Sequence, residues 1–151
     1  MIPVMPEPII KEDGNKKNDC ERNASKRLYQ DFKREHPHLK VIVVEDCLAS
    51  NYPHLDELNR LDMQYIIGAK PGDHQALFQW VDEQECCHYQ HTTEDGVTHR
   101  YRYINAAPLN KSHSEFKVNF VAYWEISKKG NQRHWCWVTD IVINNDNVYD
   151  I

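Results

Sequence analysis

The hydrophobic pattern changes its period near residue 85, and that change constrains the fold more than any other feature of the chain. Before it, short β-branched runs alternate with stretches whose apolar residues recur every three or four positions. After it, apolar and polar residues alternate one by one between turn signals. The first pattern belongs to strands covered by helices and the second to antiparallel hairpins, so an α/β core followed by an antiparallel sheet is expected.

In the first half, Ile2, Val4, Ile9 and Ile10 are broken by Pro3, Pro6 and Pro8, which suits the tail of an edge strand, and Asp13-Gly14-Asn15 is a turn signal. Asn18 with Glu21 three residues on resembles a capping box, and Cys20, Ala24, Leu28 and Phe32 then share one helical face. Residues 40–46, K-V-I-V-V-E-D, read as a strand buried on both faces. Asn51 and Pro53 open a helix with Leu55, Leu58 and Leu61 on its apolar stripe. Residues 65–69 form a second buried strand, and Pro71-Gly72-Asp73 leads into a helix carrying Ala76, Leu77, Trp80 and Val81. Two such strands joined by a helix imply a parallel pair.

In the second half, Asp95-Gly96 predicts a hairpin between residues 87–91 and 97–104. Val118, Phe120, Ala122, Trp124 and Ile126 fall on one face of a longer strand, and Lys129-Gly130-Asn131 turns it into residues 133–143. There Trp135 and Trp137 lie on one face and His134, Cys136 and Val138 on the other. At residues 148–151 the first turn of a further helix is expected.

Composition narrows the class. With 151 residues the chain has a single domain's length and can bury a real core, roughly 68–70% of its unfolded surface by size scaling. The mean hydropathy of −0.77 means that apolar residues are concentrated in these few segments. The balance of 23 acidic against 18 basic side chains, a formal charge of −5, argues against a dedicated non-specific nucleic-acid binder. The start, M-I-P-V-M-P-E-P, is no secretion leader, and no run has the ~20 apolar residues of a membrane span, so a soluble cytoplasmic protein is expected. The cysteines, Cys20, Cys47, Cys86, Cys87 and Cys136, are odd in number and form no disulfide framework.

Asp46 is the leading candidate for chemistry. At the carboxyl end of a buried strand, where open α/β sheets hold ligands, it suits a metal ligand, although the pattern alone favours a turn cap. Glu45 points to the opposite side of the strand and cannot share an ion with it. Cys86, Cys87, His88, His91, His99, His134 and Cys136 lack the paired spacings of a zinc site. Tyr101, Tyr103, Tyr123, Trp124, Trp135 and Trp137 have the period of sheet packing, with base stacking as the alternative. Lys16, Lys17, Arg22, Lys26, Arg27, Lys33 and Arg34 are interspersed with Glu21, Asp31 and Glu35, a solvated mixed face more than a DNA-facing one. The phosphate-binding and nucleophile-elbow glycine motifs are absent from the sequence.

Residues 17–24 (K-N-D-C-E-R-N-A), 36–51 (H-P-H-L-K-V-I-V-V-E-D-C-L-A-S-N) and 66–74 (I-I-G-A-K-P-G-D-H) together resemble bacterial insertion-sequence transposases of the DDE type. Y-W-E-I at 123–126, W-V-T-D at 137–140 and D-N-V at 146–148 extend the resemblance over nearly the whole chain. It implies an RNase H-like catalytic core, in which three carboxylates hold two Mg²⁺ or Mn²⁺ ions for cleavage and joining of DNA strands. Asp46 matches the second carboxylate, catalytic and metal-ligating. The family's first Asp belongs to a strand upstream of residues 2–10, and its Glu to a helix downstream of D-N-V. Asp13 and Asp140 replace neither.

The resemblance therefore implies a central fragment. Residues 1–84 would be a partial RNase H-like α/β core, residues 85–143 an inserted antiparallel β-sheet, and residues 144–151 the start of a further core segment. The complete enzyme would act on transposon-end DNA as a homo-oligomer, away from membranes, in the bacterial cytoplasm. This chain would bind no ion tightly and be inactive alone. The alternative is a non-catalytic remnant serving as a DNA-contact or protein-interaction module.

Overall fold

The structure, a computed structural model, describes residues 7–8 and 21–151. The expected strand tail apart from Glu7 and Pro8, the turn at Asp13-Gly14-Asn15, the cap at Asn18 and Cys20 lie outside the described residues. The fold is mixed α/β: three helices and one six-stranded sheet of order β1-β2-β6-β5-β4-β3. Its elements are α1 (Glu21–Glu35), β1 (Ile42–Glu45), a 3₁₀ turn (Cys47–Ala49), α2 (Tyr52–Arg60), β2 (Gln64–Gly68), α3 (Gln75–Asp82), β3 (Cys87–Thr92), β4 (Thr98–Pro108), β5 (Lys117–Ile126) and β6 (Gln132–Thr139).

The β1-α2-β2 unit forms as its pattern predicts, with Val43 beside Tyr65 and Val44 beside Ile66 in a parallel pair. Asn51 caps α2 by accepting from the His54 amide, and Leu55 and Leu58 turn inward from it at full burial. The antiparallel half does not make a sheet of its own. β6 pairs antiparallel with β2 (Ile67 beside Val138) and with β5 (Phe120 beside Val138), so parallel and antiparallel strands are one layer. The physical reason is that β2 has a free side once β1 takes the other, and β6 satisfies those backbone groups.

Strand alternation sorts the sheet's two faces. Tyr65, Ile67, Val138, Phe120 and Val118 share the helix face with Leu55, Leu58, Leu77 and Val81, and this is the main core. On the opposite face, Tyr101, Tyr103 and Val121 are covered by Ile143 and Val148 of the segment after β6. That segment is held by reciprocal bonds between the Asn105 amide side chain and the Ile143 backbone, at 2.8 and 2.9 Å, and turns at residues 145–150 where a helical turn is expected. β4 runs past residue 104, its expected end, across a bulge at which Ala106 has φ 59°, and the Asn119 side chain accepts from the Ala106 amide.

One further expectation is corrected. β1 is not buried on both faces: it is an edge strand, and Ile42 and Val44 are 51% and 71% exposed. Only its Val43 and Glu45 side has helices against it; among the described residues nothing covers the other.

Candidate functional site

β2 stops at Gly68 while β6 runs on, and the step between them opens a crevice of about 410 Å³ at the carboxyl ends of β1 and β2. Glu45, Asp46, Cys47, Gly68, Lys70, His134 and Trp135 are among the residues that line it. Gly68 is there because the 3₁₀ turn passes directly over it: a Cβ at this position would lie 3.0 Å from the Cys47 nitrogen. The turn in turn is held by Asp46, whose Oδ1 accepts from the Leu48 amide at 2.8 Å. Asp46 thus caps the turn, as one of its two sequence readings expects, and it does so at the mouth of the crevice with its side exposed.

Glu45 points the other way, into the layer between sheet and helices. Its Oε2 lies 2.5 Å from His54 Nε2, with Tyr29 against the same carboxylate. Burial first, and then the charge and hydrogen bond of Glu45, push the Tyr29 hydroxyl well above its ordinary range. This cluster ties α1, β1 and α2 together just behind Asp46. Lys70 follows β2 as Asp46 follows β1. Its ammonium is held above its ordinary value by the Cys47 side chain and, more weakly, by the Asp73 and Asp46 carboxylates.

The far wall comes from β6. Trp135 is 41% exposed and presents a flat apolar surface. His134 stacks on Trp124 at 4.5 Å, and the Arg100 guanidinium sits 4.8 Å over the same indole. Burial, and then the Arg102 and Arg100 charges, lower the His134 pKa. His74, at the start of α3, is buried, with Nε2 lacking a partner, and bonds the Ser50 backbone just past the turn; burial lowers its pKa too.

The other candidates lie elsewhere. Asp140 is at the opposite end of β2, where its Oδ1 accepts from the Tyr65 amide at 2.8 Å, and burial raises its pKa. It anchors the β2–β6 joint. His91 and His99 stack on each other at 4.8 Å across β3 and β4, and the described residues hold no group of three or more His, Cys, Asp or Glu placed to share a metal ion. Tyr101, Tyr103 and Tyr123 pack within the sheet's second layer. On α1, Lys26 faces Glu57, Arg27 faces Glu7, Lys33 faces Asp62 and Arg34 faces Asp31, which matches the mixed-face reading. Gly68 and Lys70 carry no candidate role in the sequence, and Trp135 enters it only as a sheet-packing or base-stacking aromatic. The signal for Lys70 is its place directly after a buried strand, the same signal that singles out Asp46.

As a donor set, the crevice holds one exposed carboxylate, one ammonium and one open indole. The carboxylate fits one position of a divalent-ion site, and Glu45, turned away to His54, does not add a second, so the described residues do not make a complete metal site. No helix among them is long and apolar enough to cross a membrane. No protein-family model matches the chain, and no curated protein matches it.

Proposed function

We propose that the chain is the central part of a DNA transposase of the DDE type, with a partial RNase H-like core in which Asp46 is one of three metal-binding carboxylates. The observation that carries this reading is the place of Asp46: the carboxyl end of β1, beside the end of β2, on a crevice it shares with Lys70. Ligands of open α/β sheets sit in this position, and a carboxylate beside an ammonium suits a metal-bound phosphodiester. The strand-turn-helix setting of residues 36–51 agrees with the sequence resemblance. Under this reading β6 belongs to the core sheet, so an inserted segment would be limited to the strands beyond it. Mg²⁺ or Mn²⁺ would be held by Asp46 together with an aspartate and a glutamate from outside residues 1–151. The partner would be transposon-end DNA bound by a homo-oligomer.

The test has two arms. DNA on either side of the coding region is sequenced for codons of an aspartate-bearing strand upstream and a glutamate-bearing helix downstream, and a chain extended through both is expected to nick supercoiled plasmid with Mn²⁺ in a manner lost in Asp46→Ala. Flanks without these codons would favour a non-catalytic remnant. The 151-residue chain itself should stay at background, because ligands that act as a unit lose most of the rate together. Nicking by this chain that Asp46→Ala removes would overturn the reading of a single carboxylate.

A further inference from the structure

Beyond α3 the helix face of the sheet has a charge unlike that of the chain as a whole. The registers of β3, β4, β5 and β6 set Gln90, Arg100, Trp124 and His134 side by side in one row, with His88 and Arg102 in the next. α3 reaches only the second row, where Asp82 accepts from Arg102 at 2.7 Å. The first row is open, with Gln90 and His134 exposed and Arg100 and Trp124 half-buried. No strand residue on this face is acidic, although acidic residues outnumber basic ones in the chain.

Arg100 differs from Arg102 in having no carboxylate against it among the described residues. Its guanidinium lies 4.8 Å over the Trp124 indole, on which His134 also stacks. Stacking fixes the guanidinium plane and leaves its N–H groups unused, and such a fork matches a pair of phosphate oxygens. His134 is also a wall of the crevice, so the row leads directly out of it. Asp46 and Arg100 follow and belong to strands four positions apart in the sheet, roughly 19 Å at the usual strand spacing. One phosphate cannot serve both. A repeating anion can: a DNA strand presents about five or six phosphates over that length.

We infer that the row of Arg100, Trp124 and His134 is a contact for the phosphate backbone of DNA entering the crevice, with Arg100 binding a phosphate several nucleotides from the one at Asp46. The inference rests on the proposed function for the identity of the polyanion. It is compatible with a completed core: an aspartate-bearing strand would add beyond β1, toward the opposite edge of the sheet from β4, and the segment after β6 packs on the other face.

Fluorescence anisotropy of a labelled short DNA duplex with the full chain, without divalent ions and across a salt series, tests this. Arg100→Gln should weaken binding roughly tenfold and reduce the slope of log affinity against log salt by about one. Arg100→Lys should restore the slope without the full affinity, since it keeps the charge and loses the stacked fork. Arg34→Gln on α1 should change neither. If Arg100→Gln does not fold, nuclear magnetic resonance of the parent chain reads the same contact: DNA should shift the Trp124 indole and His134 ring signals and leave the Trp80 indole in place. Absence of DNA binding at low salt, binding that Arg100→Gln leaves unchanged, or DNA that leaves the Trp124 and His134 signals in place would overturn the inference. So would a chain that ignores DNA but binds polyglutamate through Arg100, which would assign the row to an acidic protein. The duplex test needs no cleavage. Binding that depends on Arg100, in a chain whose extended form does not nick plasmid, would keep the contact and sink the transposase reading; nicking by an extended chain whose DNA affinity ignores Arg100→Gln would do the reverse.

Discussion

At the scale of single residues, the chemistry of this protein turns on two neighbours that face opposite ways. Asp46 looks into the crevice and Glu45 into the packed layer beside His54. A lone carboxylate holds a divalent ion feebly, since Mg²⁺ keeps its waters unless several oxygen ligands combine. Titration calorimetry of the chain with Mg²⁺ or Mn²⁺ is therefore expected to show only weak heats, unchanged in stoichiometry by Asp46→Asn. Tight stoichiometric binding abolished by that substitution would reveal ligands beyond those described. The histidines give a second prediction. His74 and His134 both have pKa values lowered from 6.5, chiefly by burial. A base with a depressed folded pKa stays neutral in the fold while the unfolded chain takes up a proton, so stability is full above the unfolded value and falls as pH drops below it. Urea midpoints measured at about pH 7.5 and about pH 5 should differ, with the acid value lower. His74→Gln should reduce that difference relative to the parent chain; an unchanged difference would assign the acid sensitivity to other groups.

At the scale of elements, caps and turns were legible because their physics is local. Asn51 bonds the His54 amide, and Gly96 and Gly130 take φ of 84° and 83° at the expected hairpin turns. The bulge in β4 was not legible: it is built by Asn119 of the next strand, which also donates to the Asp140 and Ile141 carbonyls. Nor was the role of Gly68, which reads as an ordinary strand-end glycine until the 3₁₀ turn is seen to cross it. Gly68→Ala sets a methyl 3.0 Å from a backbone nitrogen, which cannot rotate away. A loss of about 1–3 kcal/mol in chemical denaturation is expected from such crowding. The strain falls on the turn that holds Asp46. A neutral Gly68→Ala would show that the turn can lift without cost.

At the scale of the whole molecule, the change of period at residue 85 marks a change of strand direction inside one sheet. Phe120 sits at its centre, fully buried and edge-on to Phe78 of α3 at 5.2 Å, so it links the two halves through the core. Phe120→Ala should cost about 3–5 kcal/mol. Because the sheet is continuous, the loss should appear as one transition, with tryptophan fluorescence and far-ultraviolet circular dichroism unfolding together. Two separated transitions would show that the parallel and antiparallel parts are independent units.

The sequence by itself determined what depends on neighbours along the chain: the helix stripes of α2 and α3, the hairpin turns, the parallel β1–β2 pair, and Asp46 at a strand end. Only the tertiary structure decided what depends on distant partners. It joined β6 to β2, gave Asp140 the task of anchoring that joint, and set Lys70 beside Asp46 with Trp135 on the far wall of the same crevice. It also left Ile42 and Val44 uncovered, although K-V-I-V-V-E-D reads as a buried run. The reason is that periodicity reports which faces a strand can bury, whereas the elements that supply the cover are fixed by contacts between residues far apart in sequence.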